Sequence, residues 1–179
     1  MTCWRTINLS KDYGFHRMVI VSLMTMLFTF IIFYVPLNLV HSSIKLETDG
    51  FFIFILSLLF IFPAHKILHS LPLLLAGKKI SIEFSRIAEV IPIFKVSSKE
   101  RIPKPLILAI LLTPFLVITI CMLAGCFLSP QYIHYFTIIA AVNLGFCVTD
   151  FLLIKHLIRA PKRCVVEEFK DGYDILINS

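Results

Sequence analysis

The chain has 179 residues, 58% of them hydrophobic, with a mean hydropathy of +0.90. Soluble domains are typically about 45–50% apolar, and the polar sequence here is too short to coat so much apolar surface, which excludes an ordinary soluble fold. The net charge of +6 and pI near 9.2 do not make a nucleic-acid face, because the cations flank apolar runs instead of clustering along one stripe.

The first seventeen residues are polar, and Asn8-Leu9-Ser10-Lys11-Asp12-Tyr13 predicts a turn or a short surface helix. Met18–Val40 then runs for 23 residues without a charge. It is longer than the h-region of a signal peptide, and Val40-His41-Ser42-Ser43-Ile44 offers no small-residue cleavage site, so it reads as an uncleaved span. The second run, Phe51–Ala76, has 26 residues and holds His65, Lys66 and His69. The third, Pro105–Leu128, has 24 and no charge, and the fourth, Tyr132–Ile154, has 23 and holds His134 and Asp150. Each is long enough to cross ~30 Å of hydrocarbon as a helix.

Between the second and third runs, Ile80, Ile82 and Phe84 alternate with Ser81, Glu83 and Ser85, which is a strand period. Val90–Val96 reads as a second strand, with Pro92 confining it to an edge. The two make an amphipathic hairpin at the membrane face, with an interfacial helix as the alternative. In the tail, Asp171-Gly172 between the β-rich runs Cys164–Phe169 and Tyr173–Ile177 is a hairpin signal. The expected fold is therefore an α-helical integral membrane protein. It has four transmembrane helices (about 18–40, 51–76, 105–128 and 132–154) and small cytoplasmic β-hairpin elements in the loop 77–104 and the tail 155–179, all in one membrane domain spanning 1–179.

Charge placement gives the orientation. Fifteen of the seventeen Lys and Arg residues precede the first span, lie between the second and third, or follow the fourth; only Lys45 and Lys66 do not. The positive-inside rule puts those segments, and both termini, in the cytoplasm. A basic surface beside anionic headgroups accounts for the pI, and the lipid bilayer is the first expected partner. The five cysteines form no C-x-x-C pair, and three lie in spans, which argues against structural disulfides.

His65 and His69 are four residues apart, one helical turn, so both imidazoles lie on one face. Ionisable residues inside a span are costly unless they face a partner or a cavity, which makes this pair a candidate site. Pro63 and Pro72 flank it, where they predict a simple kink or a break that lines a cavity. Counting from Lys78, His69 and His65 lie roughly 13 and 20 Å deep, and counting from Lys155, Asp150 and Asn143 lie roughly 8 and 18 Å deep. The depths overlap. Asn143, Cys147 and Asp150 share one helix face at i, i+4, i+7. Two histidines and a carboxylate are a common zinc set. The alternatives are a histidine pair that hydrogen-bonds a neighbouring helix, an Asp150 that pairs with Lys66 or Arg159, and an Asn143 that glues helices together.

His65-Lys66-Ile67-Leu68-His69, Leu112-Thr113-Pro114-Phe115, Asn143-Leu144-Gly145-Phe146-Cys147-Val148-Thr149-Asp150-Phe151 and Ile158-Arg159-Ala160-Pro161-Lys162-Arg163 followed by Val166-Glu167-Glu168 come in an order that resembles a bacterial membrane family. That family is described as putative zincin peptidases, distantly similar to site-2 proteases. The resemblance covers about residues 50–177. It implies His65, His69 and Asp150 as ligands of Zn2+, Asn143 as a residue that positions a substrate or transition state, a transmembrane peptide or membrane protein as the substrate, and the bacterial cell membrane as the location. Two departures stand out. Lys66 occupies the place of the glutamate in the zincin pattern H-E-x-x-H, and the fourth-span motif lacks the proline and the Asp-Gly ending of site-2 proteases.

That glutamate normally takes a proton from water and passes it to the leaving amine; a protonated lysine has no lone pair with which to do so. Lys66 is ~100° around the helix from His65 and can snorkel to the cytoplasmic interface. The sequence thus favours a degenerate zincin-like relative that holds or presents a membrane helix. The alternatives are an active intramembrane zinc metallopeptidase using another base, and a small transport component in which the His and Asp groups handle metal ions or protons.

Overall fold

The fold is given by a computed structural model that describes residues 2–78, 81–87, 91–97, 101–169 and 172–177; of 81–87, 91–97, Ser10, Glu168 and Phe169 only the backbone is described. In chain order the elements are β1 (Thr2–Ile7), α1 (Leu9–Tyr13), α2 (Phe15–Val40), α3 (Phe51–Leu75), β2 (Ser81–Ile87), β3 (Ile91–Ser97), β4 (Ile102–Pro103), α4 (Lys104–Leu128), a 3-10 turn (Pro130–Tyr132), α5 (Ile133–Arg159), β5 (Cys164–Phe169) and β6 (Gly172–Ile177). Among the described residues, α2, α3, α4 and α5 with its leading turn are long and apolar enough to cross a membrane.

These four match the expected spans with shifts at their ends. Helix α3 stops at Leu75 because Gly77 takes φ +65°. Lys78 N then donates to Leu73 O and Gly77 N to Leu74 O, both at 3.0 Å, which is the paired closure of a Schellman turn. Helix α5 continues past Ile154 to Arg159. Hydropathy falls at Lys155, but a cation in the last turn of a helix is favoured by its dipole, so charge alone does not end it. Lys104 Nζ donates to Ala160 O at 2.8 Å and caps that end. Helix α3 is assigned as continuous through Pro63 and Pro72.

Contacts divide the chain into two compact units, Met1–Phe15 with Lys66–Thr113 and Thr149–Ser179, and His16–His65 with Pro114–Val148; the boundaries fall inside α2, α3, α4 and α5. The first unit holds both sheets. A four-stranded antiparallel sheet has the order β1-β6-β5-β4, and a separate two-stranded sheet pairs β2 with β3, from Ser81 opposite Ser97 to Ile87 opposite Ile91. Both expected hairpins are therefore present as paired strands, while Ile80, Val90 and Asp171 lie outside the described residues. On β5, buried Cys164 and Val166 alternate with half-buried Val165 and Glu167, so one face points to a core of Ile7, Ile102, Ile107, Leu153, Leu157 and Ile175.

The N-terminal segment differs from the sequence reading. Leu9–Tyr13 is the short helix, capped by Asn8 Oδ1 accepting from Lys11 N at 3.1 Å, but Thr2–Ile7 is a strand. It pairs with β6, and Thr6 Oγ1 donates to Asp174 Oδ1 at 2.6 Å across that pairing.

In the second unit, Glu47 N donates to Gln131 O at 3.1 Å, and Tyr135 Oη donates to Thr48 O at 3.0 Å, tying the α2–α3 loop to the start of α5. The Phe54 and Tyr135 rings stack with centroids 4.6 Å apart. Gly145 lets α2 approach α5: a Cβ there would collide with the Met26 side chain. Half of the most apolar stretch of α5 is buried, against 11% in α2 and in α3. Large apolar side chains such as Phe52, Leu75 and Leu128 are exposed, which suits a hydrocarbon surrounding and not water.

Candidate metal centre

The candidate residues come from the middle of α3 and of α5. His65 and His69 are one turn apart on α3, and Asn143 and Asp150 are two turns apart on α5. His65 is 3% exposed and Asn143 is fully buried, while the side chains of His69 and Asp150 are 15% and 13% exposed. Phe146 packs T-shaped against His65 with centroids 6.0 Å apart.

Hydrogen bonds fix how each imidazole presents itself. His69 Nδ1 lies 2.9 Å from Ile110 O. A carbonyl can only accept, so Nδ1 carries the proton and, in the neutral ring, Nε2 carries the lone pair. That Nε2 lies 3.5 Å from Asp150 Oδ2.

His65 is set by a longer chain. Asn143 Nδ2 donates to Pro114 O at 3.2 Å and lies 3.4 Å from Thr119 Oγ1. The Pro114 carbonyl requires a donor, so it is the amide nitrogen of Asn143 that faces it and Oδ1 that faces His65 Nδ1, 3.0 Å away. His65 Nδ1 therefore also carries the proton, which leaves its Nε2 as the basic nitrogen.

The donors converge: one ligand atom from each of His65, His69 and Asp150 lies within 4.8 Å of the others. This set could hold a metal ion, and its chemistry fits zinc. Metal-bound imidazoles characteristically donate their second N–H to a carbonyl, and both do so here, His69 to a backbone carbonyl and His65 to an amide. Two ligands at ~2.0–2.1 Å from a tetrahedral ion stand about 3.4 Å apart, close to the His69–Asp150 separation of 3.5 Å.

Asn143, expected to position a substrate, bonds His65 directly in this structure. Cys147, on the same face of α5, is buried. Lys66 is half-buried, beside the pair in sequence. Ile110 and Thr119 were not among the expected site residues. Thr119 carries no sequence signal that separates it from other span hydroxyls, whereas Ile110 O is flagged indirectly by the proline four residues later.

Comparison with known proteins adds a family match over this part of the chain. The family described as "Putative zincin peptidase" matches residues 58–165, which include both histidines, Asn143 and Asp150. No curated protein and no solved structure matches the chain. With more than half of its length matched, including all three candidate ligands, the chain belongs to the "Putative zincin peptidase" family.

Proposed function

We propose that the protein is a four-span membrane zincin relative that binds Zn2+ through His65, His69 and Asp150 and engages a transmembrane segment of another protein without cleaving it. The observation that carries the metal half is the convergence of the three donors. The two Nδ1 hydrogen bonds support it, since they leave both Nε2 atoms basic. A zinc ion bound there would supply Lewis-acid polarisation of an oxygen ligand. The chain's own residues would do the rest: Asp150 supplies negative charge, Asn143 and Ile110 O orient the rings, and Phe146 shields His65.

The second half of the reading rests on Lys66. A zincin needs a proton acceptor one residue after its first histidine, and an ammonium group has no lone pair to offer. The positive-inside distribution supports insertion with both termini in the cytoplasm, and the resemblance to site-2 proteases supports a membrane helix as the bound partner.

The test is metal analysis of the purified protein together with a cleavage assay. Wild type should retain zinc and Asp150→Ala should lose it. Reconstituted wild type should release no product from a panel of transmembrane peptides, with or without chelator. Lys66→Glu should bind zinc more tightly, because it replaces a like charge with a carboxylate. Chelator-sensitive cleavage by wild type that disappears in His65→Ala would overturn the non-proteolytic reading. A zinc content that is the same in wild type and in Asp150→Ala would overturn the site.

A further inference from the structure

Pro114 lies within α4, ten residues from its first residue. Proline has no N–H, so the carbonyl four residues earlier, that of Ile110, receives no helical bond from position 114. This is the carbonyl that accepts Nδ1–H of His69 at 2.9 Å. Pro114 has a second connection to the site. Its own carbonyl accepts Nδ2 of Asn143 at 3.2 Å, and through that amide it determines which atom of Asn143 faces His65. One residue thus stands behind both imidazoles, once by the donor it lacks and once by the acceptor it has.

We propose that position 114 orients both imidazoles by two separate arms: the missing N–H of Pro114 leaves Ile110 O to set the Nδ1–H tautomer of His69, and the backbone carbonyl at 114 sets that of His65 through Asn143. The alternatives are less specific. A proline that only bends α4 would not leave its i−4 carbonyl bonded to one candidate ligand and its own carbonyl bonded to the side chain that holds the other. Outer partners of metal-bound histidines commonly change metal affinity by ~10–100-fold when removed. Loss of either arm should therefore weaken the donor set although neither Pro114 nor Asn143 is a ligand. The effect on affinity rests on the metal reading above, whereas the effect on the tautomers is a property of the metal-free protein.

The experiment separates the two arms in the full-length protein in lipid nanodiscs. Pro114→Ala restores the N–H at position 114, which draws Ile110 O back into the helical ladder, and keeps the carbonyl that Asn143 needs. Alanine is also the better helix former, so α4 is retained. Histidine 15N spectra of the metal-free protein at pH 8 should show His69 losing its fixed Nδ1–H tautomer while His65 keeps it. Asn143→Ala should do the reverse. Zinc affinity by competition titration should fall roughly 10–100-fold in each variant. An unchanged His69 tautomer in Pro114→Ala overturns the proposal. So does a change at both histidines in both variants, which would mark general loosening instead of two separate arms. If wild type binds no zinc, the metal reading fails, and the tautomer comparison still decides the role of Pro114.

Discussion

Asn143 is the residue whose removal should be felt most widely in the centre. It is fully buried and joins three groups: His65 Nδ1 at 3.0 Å, Pro114 O at 3.2 Å and Thr119 Oγ1 at 3.4 Å. In Asn143→Ala the protonated Nδ1 of His65 loses its acceptor. His65 is 3% exposed, so water cannot replace that acceptor. A buried donor left without a partner costs about 1–3 kcal/mol. The other two bonds contribute less, because interhelical hydrogen bonds in membrane proteins average ~0.6 kcal/mol and Thr119 can turn to a carbonyl of its own helix. The expected loss is about 2 kcal/mol, or roughly a 30-fold shift in the unfolding equilibrium. The assay is equilibrium unfolding in mixed micelles of a mild and a denaturing detergent, with Thr119→Val as the comparison. Thr119→Val should lose less than about 0.7 kcal/mol, since it leaves His65 paired. Asn143→Ala within ~0.5 kcal/mol of wild type would refute the assignment of Asn143 Oδ1 as the acceptor of His65.

Two further predictions concern the segments outside the spans. Burial pushes the Cys164 thiol above its ordinary value, partly opposed by the Lys104 ammonium. Only the thiolate is alkylated, so near pH 8 Cys164 should react with iodoacetamide at least ~tenfold more slowly than exposed Cys3. The sign for stability is the same: the unfolded chain ionises first, so this thiol stabilises the fold at and below neutral pH and that contribution is lost as pH rises through the thiol range. Equal alkylation rates for the two cysteines would show that the packing around Cys164 is wrong. For topology, membrane-impermeant maleimide added outside intact cells should label a cysteine engineered beside Glu47 and miss one beside Lys162; external labelling at Lys162 would reverse the orientation.

The four long helices were legible because hydropathy over 23 or more residues is a property of the sequence taken in order, and it does not depend on what packs where. The histidine pair was legible for a related reason: four residues on a helix is one turn whatever surrounds it. Asn143 and Asp150 were found by the same arithmetic on a second helix, although nothing in the spacing says that Asn143 would bond His65. What the sequence hid is long-range or backbone in nature. Strand β1 pairs with β6 across almost the whole chain, and of its six residues only Ile7 is buried, so it has no alternation to read. The acceptor of His69 is the carbonyl of Ile110, and a carbonyl leaves no side-chain signature; only the proline four residues on hints that it is available.

The hydrogen-bond pattern bears on whether the pair is interhelical glue or a ligand set. A histidine that only ties helices together needs one partner for its protonated nitrogen, and each has that through Nδ1. Glue makes no demand on Nε2. In this fold the Nε2 of His69 is 3.5 Å from a carboxylate brought in from α5, and the donor atoms of all three side chains lie within 4.8 Å of one another. Placing an aspartate in a span costs free energy that the helix–helix hydrogen bonds of the two rings do not require. A cation shared by the three groups would offset part of that cost, and the arrangement could hold one. Lys66 adds a positive charge next in sequence to a donor set that could hold one, so Lys66→Glu should strengthen zinc binding even if no hydrolysis follows. Weaker zinc binding in that variant would mean that Lys66 supports the site, and the contrast with the glutamate-bearing zincin pattern would then lie in the use of the metal and not in its retention.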